Sequence, residues 1–188
     1  MTKPLRFILV ALTAALAAVG HANPANAPGI YLEPAAFVAR AFAGSAPQPK
    51  ALWVDAGLKS ELTDVLGHPP NSLRIRYWFD GGRSAWILDE IGKDRPITMG
   101  VVVANDAIET FEVLVFRESR GWEIKHAFFT AQFRDARLDD QRRLTPPVDG
   151  ITGATLSVRA AQRVAAAALL LHQRVLANDR KPALGAAN

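Results

Sequence analysis

The sequence contains no cysteine, and this absence excludes several classes of exported and redox protein. Without thiols the chain can form no disulfide, no lipoprotein anchor, no c-type haem attachment and no iron–sulfur cluster. Histidine is also scarce: beyond the leader described below, only His68, His126 and His172 are present, and no two have the spacing of metal ligands. We therefore predict no metal site, and any redox chemistry of this chain would require an organic cofactor.

Excess charge of one sign is lacking as well. The formal net charge is +4, and removing Lys3 and Arg6 with residues 1–22 lowers it by two, to +2. The arginines are scattered instead of forming a stripe, so the sequence predicts no nucleic-acid partner. Apolar residues make up 49% of the chain and charged residues 21%. This balance predicts one folded domain with a buried core and argues against disorder.

Residues 1–22 have the pattern of a secretory signal peptide. Lys3 and Arg6 precede an apolar run at residues 7–19, and Gly20-His21-Ala22 supplies the small residues that a signal peptidase recognises. Because the run is shorter than the roughly 20 residues that a spanning helix needs, we expect a cleaved signal peptide and a periplasmic or otherwise extracytoplasmic domain. The alternative is an uncleaved membrane anchor, which places the domain on the same side of the membrane.

The pattern of the mature chain predicts an α+β fold, with an antiparallel sheet of about four or more strands packed against helices. Helices are predicted from Pro34 to Ala43 and over Ala56–Leu66. Alternating apolar residues and the turn signals Asp80-Gly81-Gly82 and Asn105-Asp106 predict a meander, one face of which is covered by helices. Trp53, Trp78 and Trp86 are expected in the core or on a sheet face. The predicted strands lie at residues 72–79, 84–91, 97–103 and 108–117.

The last predicted element is a long C-terminal helix from Thr155 to about Leu176, with a broad apolar face. Before it, residues 122–134 are predicted to be mainly helical and residues 139–147 to form a polar loop. The division of the chain after the leader is therefore a linker at 23–30, the N-terminal part of a single domain at 31–96, a motif-bearing region at 97–176 and a flexible tail at 177–188.

The segment with recognisable chemistry is Asp149-Gly150-Ile151-Thr152-Gly153-Ala154-Thr155, directly before the long helix. Gly153 and Ala154 are small, so another molecule can approach the backbone closely. Thr155 places a hydroxyl at the helix start, where unpaired N–H groups and the helix dipole favour a phosphate. The same pattern is also typical of a turn followed by a threonine N-cap, and spacing alone leaves both interpretations open.

This segment resembles the D-x-x-[S/T]-G-A-[T/S] acceptor motif of the FMN-binding domain family, found in peripheral subunits of the sodium-pumping NADH:quinone reductase and of Rnf-type complexes. In that family a flavin transferase cleaves FAD and attaches FMN, through its phosphate, to the last hydroxyl of the motif. The resemblance implies a covalent FMN on Thr155. Asp149, Thr152, Gly153 and Ala154 match the other constrained positions.

Two shorter matches support the resemblance. Residues 118–123 are similar to the family's Glu-Thr-Pro-Gly-Leu-Gly loop, from which they depart at Arg120, Trp122 and Glu123. Gln132-Phe133 resembles a Gln-Phe pair that precedes the acceptor motif. The resemblance covers about Ile97 to Leu176, which makes residues 97–176 the FMN-binding region. It implies that Trp122 stacks on the flavin ring, the alternative being a core tryptophan. The loop residues expected beside the flavin are Glu118, Ser119, Gly121 and Trp122.

The function that the resemblance implies is an extracytoplasmic electron-transfer carrier. Its expected partners are an FAD-dependent flavin transferase and a membrane-bound redox protein that donates or accepts electrons. No Ser/His/Asp grouping or catalytic carboxylate pair is evident, which favours a carrier over a stand-alone enzyme. Arg159, one turn after Thr155, would balance the phosphate charge or simply be solvated. The alternatives are a periplasmic flavin-dependent reductase of a small substrate and a flavin-free binding or assembly module.

Overall fold

The computed structural model describes residues 29–180, so the predicted signal peptide, most of the predicted linker and residues 181–188 lie outside the described part of the chain. Its principal elements, in chain order, are α1 Pro34–Ala41, β1 Lys50–Trp53, α2 Ala56–Leu66, β2 Arg74–Asp80, β3 Arg83–Ile91, β4 Pro96–Ala104, β5 Ala107–Val115, α3 Ala127–Thr130, β6 Arg137–Leu138, β7 Leu144–Thr145 and α4 Thr155–Arg180. Short 3₁₀-helices at Trp122–Lys125 and Ala131–Phe133 flank α3.

The predicted α+β fold is confirmed. Five antiparallel strands form one sheet in the order β1-β2-β3-β4-β5. Both predicted hairpin turns are present, with positive φ at Gly81 and Gly82 (56° and 83°) and at Asn105 and Asp106 (54° and 57°). The sequence did not predict β1, because four residues are too few to show a clear alternation. Its last residue, Trp53, lies at the sheet edge and is 68% exposed.

The bounds of α2 agree with the prediction because both ends carry strong local signals. The Asp55 carboxylate accepts a hydrogen bond from the Leu58 N–H at 2.8 Å and caps the first turn. Gly67 then ends the helix in the left-handed conformation at φ 75°.

Helices cover both faces of the sheet, whereas the sequence pattern predicted helices on one face only. The main core lies between the sheet, α2 and α4, and contains Trp86, which is fully buried. On the opposite face α1 packs against β3 and β4, with Trp78 at the margin of this second cluster. A Cβ added to Gly100 would lie 2.6 Å from the Phe37 ring, so the absence of a side chain at Gly100 lets α1 approach the sheet.

The helix α4 continues to Arg180 and not only to about Leu176, so residues 177–180 are helical and the tail prediction was wrong for them. Val175 is buried and Leu176 packs against the core, which anchors the following turn. The first helix-breaking residue in the sequence after this point is Pro182. Among residues 29–180, no helix combines the length and apolar character needed to cross a membrane.

Two loop predictions need correction. Gly29 and Ile30, assigned to the linker, instead bond to the edge of β5: Gly29 O accepts from the Phe116 N–H at 2.6 Å, and Ile30 bridges to Val115. This pairing covers part of an otherwise open strand edge. Within the predicted polar loop at 139–147, Leu144–Thr145 forms β7 and pairs with β6. Residues 122–134 are mainly helical, as predicted.

Candidate functional site

The two motif segments, distant in sequence, meet in the folded chain. Gly121 is buried at φ 84°, and a Cβ added there would overlap Ser157 Oγ and lie 3.1 Å from Ser157 Cβ and 3.6 Å from Ala154 Cβ. The loop at 118–122 therefore lies directly against the first turn of α4. The absence of a side chain at Gly121 is what permits this approach.

Thr155 occupies the first helical position of α4, and its side chain is exposed. The Val158 N–H donates to Ala154 O at 3.0 Å, so Ala154 is the N-cap residue. Ala154 is only 3% exposed. The interpretation of Thr155 as an N-cap threonine is therefore wrong. Its hydroxyl stands at the positive end of the helix dipole, accessible to another molecule.

A tight turn precedes the helix. The Ala154 N–H donates to Ile151 O at 3.0 Å, which closes a four-residue turn whose tip is formed by the exposed residues Thr152 and Gly153. Gly153 has φ 84°, and a Cβ added to it would have no neighbour within 4 Å. The conformation, and not lack of space within the chain, therefore requires glycine there. The open surface agrees with the expectation that another molecule can approach this backbone.

Two glutamines hold the start of the motif in place. Gln132 Oε1 accepts a hydrogen bond from the Asp149 N–H at 2.8 Å, and Gln162 Nε2 donates to Val148 O at 3.1 Å. The neighbouring Phe133 is fully buried and belongs to the main core. The Gln132-Phe133 pair thus links the motif to the core, while the Asp149 side chain stays exposed.

Glu118 has a structural contact that the sequence did not predict. Its Oε1 accepts hydrogen bonds from the backbone N–H groups of Lys93, Asp94 and Arg95 at 2.5, 2.7 and 2.9 Å. Burial of the carboxyl opposes ionisation, but the three hydrogen bonds outweigh it and hold the pKa of Glu118 below its ordinary 4.5. The carboxylate therefore fixes the loop between β3 and β4 against the candidate site.

Trp122 is 45% exposed, so the alternative of a core tryptophan is wrong. Its ring meets His126 edge to face, with centroids 5.5 Å apart, and Lys125 Nζ lies 5.1 Å from its centroid. Phe128, 62% exposed, stacks on the His126 ring with centroids 6.1 Å apart. Leu156, next to Thr155, is 41% exposed. Trp122, Phe128 and Leu156 are thus three exposed large apolar or aromatic side chains within the region that carries the motifs.

Sequence reasoning missed Phe128 and Leu156. Leu156 continues the apolar stripe of α4 that includes Ala160 and Val164, so its spacing favours burial. It is exposed although its neighbours Ser157 and Val158 are buried, so it lies on the side of the first turn that faces away from the core. An apolar residue directly after Thr155 was the available signal. Ser119 and Arg120 are exposed on the neighbouring loop.

The surroundings of Thr155 suit an anionic group on an open surface. The first turn of α4 contains no acidic residue, and the exposed Arg159 lies one turn further along the helix. An open cleft of about 890 Å³ borders the motif through Val148 and Arg159, but neither Thr155 nor Trp122 lines it. The candidate site is therefore an exposed surface and not an enclosed pocket. Its residues fit a phosphate at Thr155 and an aromatic ring near Trp122.

An exposed threonine at a helix start, beside a glycine loop and a surface tryptophan, defines a domain suited to holding a phosphate-bearing aromatic cofactor. Residues 92–170 match the family model of the FMN-binding domain, and this part of the chain is similar to that family. The match contains both motif segments and supports a flavin-binding protein. No curated protein and no solved structure matches the chain significantly.

Proposed function

We propose that this protein is an exported flavoprotein that carries FMN covalently on Thr155 and passes electrons between redox partners outside the cytoplasm. The observation that carries the proposal is the exposed Thr155 at the first turn of α4, packed beside the Gly121 loop. The FMN-binding domain match supports the cofactor. The acceptor motif supports the residue, and the pattern of residues 1–22 supports export.

The attachment reaction that we propose forms a bond between Thr155 Oγ and the FMN phosphorus of FAD. The pyrophosphate bond breaks, AMP leaves, and the hydroxyl proton passes to the flavin transferase. A threonine hydroxyl is a weak nucleophile, so acid–base and metal assistance come from the transferase. This chain contributes access: Thr155 is exposed, and the turn at Thr152 and Gly153 leaves the approach open. The exposed carboxylate of Asp149 is available to the transferase.

The phosphodiester that results keeps one negative charge. The start of α4 favours an anion by about 0.3–1 kcal/mol at an exposed position. Arg159 adds a positive charge one turn away, and no carboxylate lies in the first turn of the helix. The covalent bond itself prevents loss of the cofactor, which matters outside the cytoplasm, where free flavin is scarce.

Electron transfer to protein partners fits this site better than turnover of a small substrate. The flavin supplies the redox chemistry when bound, while the chain positions it and leaves it accessible. Trp122 and Phe128 are exposed, and Thr155 does not line the neighbouring cleft. We propose a membrane-bound redox protein as the donor or acceptor that contacts this surface.

The first test is co-expression of the exported protein with an active flavin transferase, followed by intact mass and visible absorbance. We expect the wild type to be yellow and heavier by FMN less one water. Thr155→Ser keeps a hydroxyl and should also be modified, whereas Thr155→Ala should be folded but unmodified. Modification of Thr155→Ala would move the attachment site elsewhere. A colourless wild type, with the transferase active on a control protein, would favour the flavin-free module.

A second measurement separates the carrier from the reductase. The reduced, flavinylated protein is mixed either with redox proteins and artificial dyes or with small oxidised substrates. A carrier should exchange electrons only with the proteins and dyes. Saturable turnover of a small substrate, with a defined KM, would instead identify a reductase.

A further inference from the structure

The sheet opens between β2 and β3, away from the flavin site. The two strands pair only from Tyr77↔Trp86 to Asp80↔Arg83. Before this point β2 pairs with β1 alone, and after it β3 pairs with β4 alone. Residues 74–76 and 87–90 therefore face each other across a gap. Alternate residues of each strand direct N–H and C=O groups into it, where a bound molecule or water can satisfy them.

A cavity of about 240 Å³ fills this gap and reaches between α2 and α4. Its inner wall is apolar and is formed by side chains from both helices and both strands. The volume suits a small molecule with a body of several carbon atoms. The main apolar lining residues are Leu62, Leu66, Ile75, Leu88, Val164 and Leu171.

The polar end of the cavity is built around Glu90, whose side chain is 3% exposed. Glu90 Oε1 lies 3.0 Å from His68 Nε2 and 3.3 Å from an Arg163 guanidinium nitrogen. His68 Nδ1 lies 2.8 Å from Pro69 O. Both ring nitrogens thus face oxygens, and the hydrogen bond to Glu90 raises the pKa of His68. His68 and Arg163 therefore both pair with the buried Glu90 carboxylate.

Two exposed arginines, Arg74 and Arg76, lie at the other mouth of the cavity, on the α1 face of the sheet. Arg74 and Arg76 line the cavity, and within residues 29–180 neither forms an ion pair with a carboxylate. Of the two lining carboxylates, Glu90 is paired with His68 and Arg163, and Asp89 accepts one hydrogen bond, from the Thr98 hydroxyl at 2.5 Å. An apolar interior with exposed arginines at one mouth is complementary to an amphipathic anion.

We propose that the opening between β2 and β3 is a second binding site, which takes a small amphipathic anion with its apolar body among the helices and its anionic group at Arg74 and Arg76. On α4 the cavity is lined by residues between Val164 and Leu171, and Val164 lies nine residues after Thr155. At 1.5 Å per residue this is about 14 Å from the flavin attachment point. Occupancy of the site does not depend on flavin attachment.

The test is isothermal titration calorimetry with octanoate, using octan-1-ol and octylammonium as probes of the same chain length. We expect octanoate to bind with a Kd of about 1 mM or tighter. Octanol should bind about tenfold more weakly because it lacks the charge, and octylammonium should not bind. The titration is repeated on unmodified Thr155→Ala, where octanoate binding should be unchanged. That variant separates failure of this site from failure of the flavin proposal.

Two kinds of variant locate the binding. Arg74→Gln with Arg76→Gln should weaken octanoate about tenfold, whereas the exposed Arg134→Gln should have no effect. Ala167→Met fills the cavity from α4 and should abolish binding, with circular dichroism and the Tm showing that the variant is folded. The proposal is overturned if octanoate does not bind, if folded Ala167→Met binds like the wild type, or if Arg134→Gln weakens binding as much as the double variant.

Discussion

The contact between the Gly121 loop and the first turn of α4 predicts a graded response to alanine at three glycines. Gly121 has φ 84° and no room for a Cβ, because Ser157 and Ala154 lie against it. Gly153 has the same φ but open space, and Gly150 has no Cβ neighbour within 4 Å and no positive φ. The three positions therefore separate the cost of the conformation from the cost of the overlap.

The magnitudes follow from these two costs. A residue with a side chain loses about 1–2 kcal/mol in the left-handed conformation, and overpacking in a tight contact costs about 1–3 kcal/mol more. Gly121→Ala should therefore lower the free energy of unfolding by about 2–5 kcal/mol, and Gly153→Ala by about 1–2 kcal/mol. Gly150→Ala should stay within about 0.5 kcal/mol of the wild type, as is usual for an unconstrained surface position.

Urea denaturation followed by circular dichroism measures these differences. Combining Gly121→Ala with Ser157→Ala removes the overlapping hydroxyl but leaves the unfavourable φ, so the double variant should recover part of the loss. A coupling of about 1 kcal/mol between the two positions is expected. The packing of the loop on the helix would be refuted if Gly121→Ala and Gly153→Ala lowered the free energy of unfolding equally. It would also be refuted if the losses of stability from Gly121→Ala and Ser157→Ala were strictly additive.

The further predictions concern the ionisable side chains of Glu118, His172 and His68. Glu118→Gln should weaken the hydrogen bonds to the backbone N–H groups of residues 93–95 and lower the local stability of this loop by about 1 kcal/mol. The amide hydrogens of residues 93–95 should then exchange about fivefold faster, and unchanged exchange would contradict the anchoring role of Glu118. Burial lowers the pKa of His172 below its ordinary 6.5, so the unfolded chain binds more protons and stability should fall as the pH drops below about 6.5. In urea denaturation measured from pH 8 to 5, His172→Gln should lose less stability than the wild type. An identical dependence of stability on pH in the two proteins would refute the lowered pKa of His172. The hydrogen bond to Glu90 raises the pKa of His68 above its ordinary 6.5. The contribution of His68 to the free energy of unfolding is therefore complete below pH 6.5 and is lost as the pH rises through the raised pKa.

The environment of His172 explains the direction of its shift. The residue is fully buried, with Nδ1 2.7 Å from Ser84 Oγ, and the Trp86 indole N–H donates to the same hydroxyl at 2.7 Å. The other ring nitrogen is buried without a hydrogen-bond partner among the described residues. A proton added to this ring would therefore be poorly solvated, which favours the neutral form.

Local signals predicted the elements whose ends depend on their own residues. Asp55 and Gly67 bound α2, and the glycine pair at 81–82 forms the predicted hairpin turn. These features were readable because a cap or a positive φ is decided within a few residues of chain. The strand β1 was missed because four residues carry too little periodicity. The end of α4 was placed too early because the packing of its last turns is not visible in its own sequence.

The start of the long helix at Thr155, and a turn ahead of it, could be predicted from the sequence alone, since each depends on neighbouring residues. Only the tertiary structure decided that Gly121 lies on this helix start and that Glu118 binds the backbone of another loop. Only the tertiary structure, likewise, decided that β2 and β3 separate around a cavity. These contacts join residues far apart in the chain, so they depend on how whole elements pack and not on any local pattern.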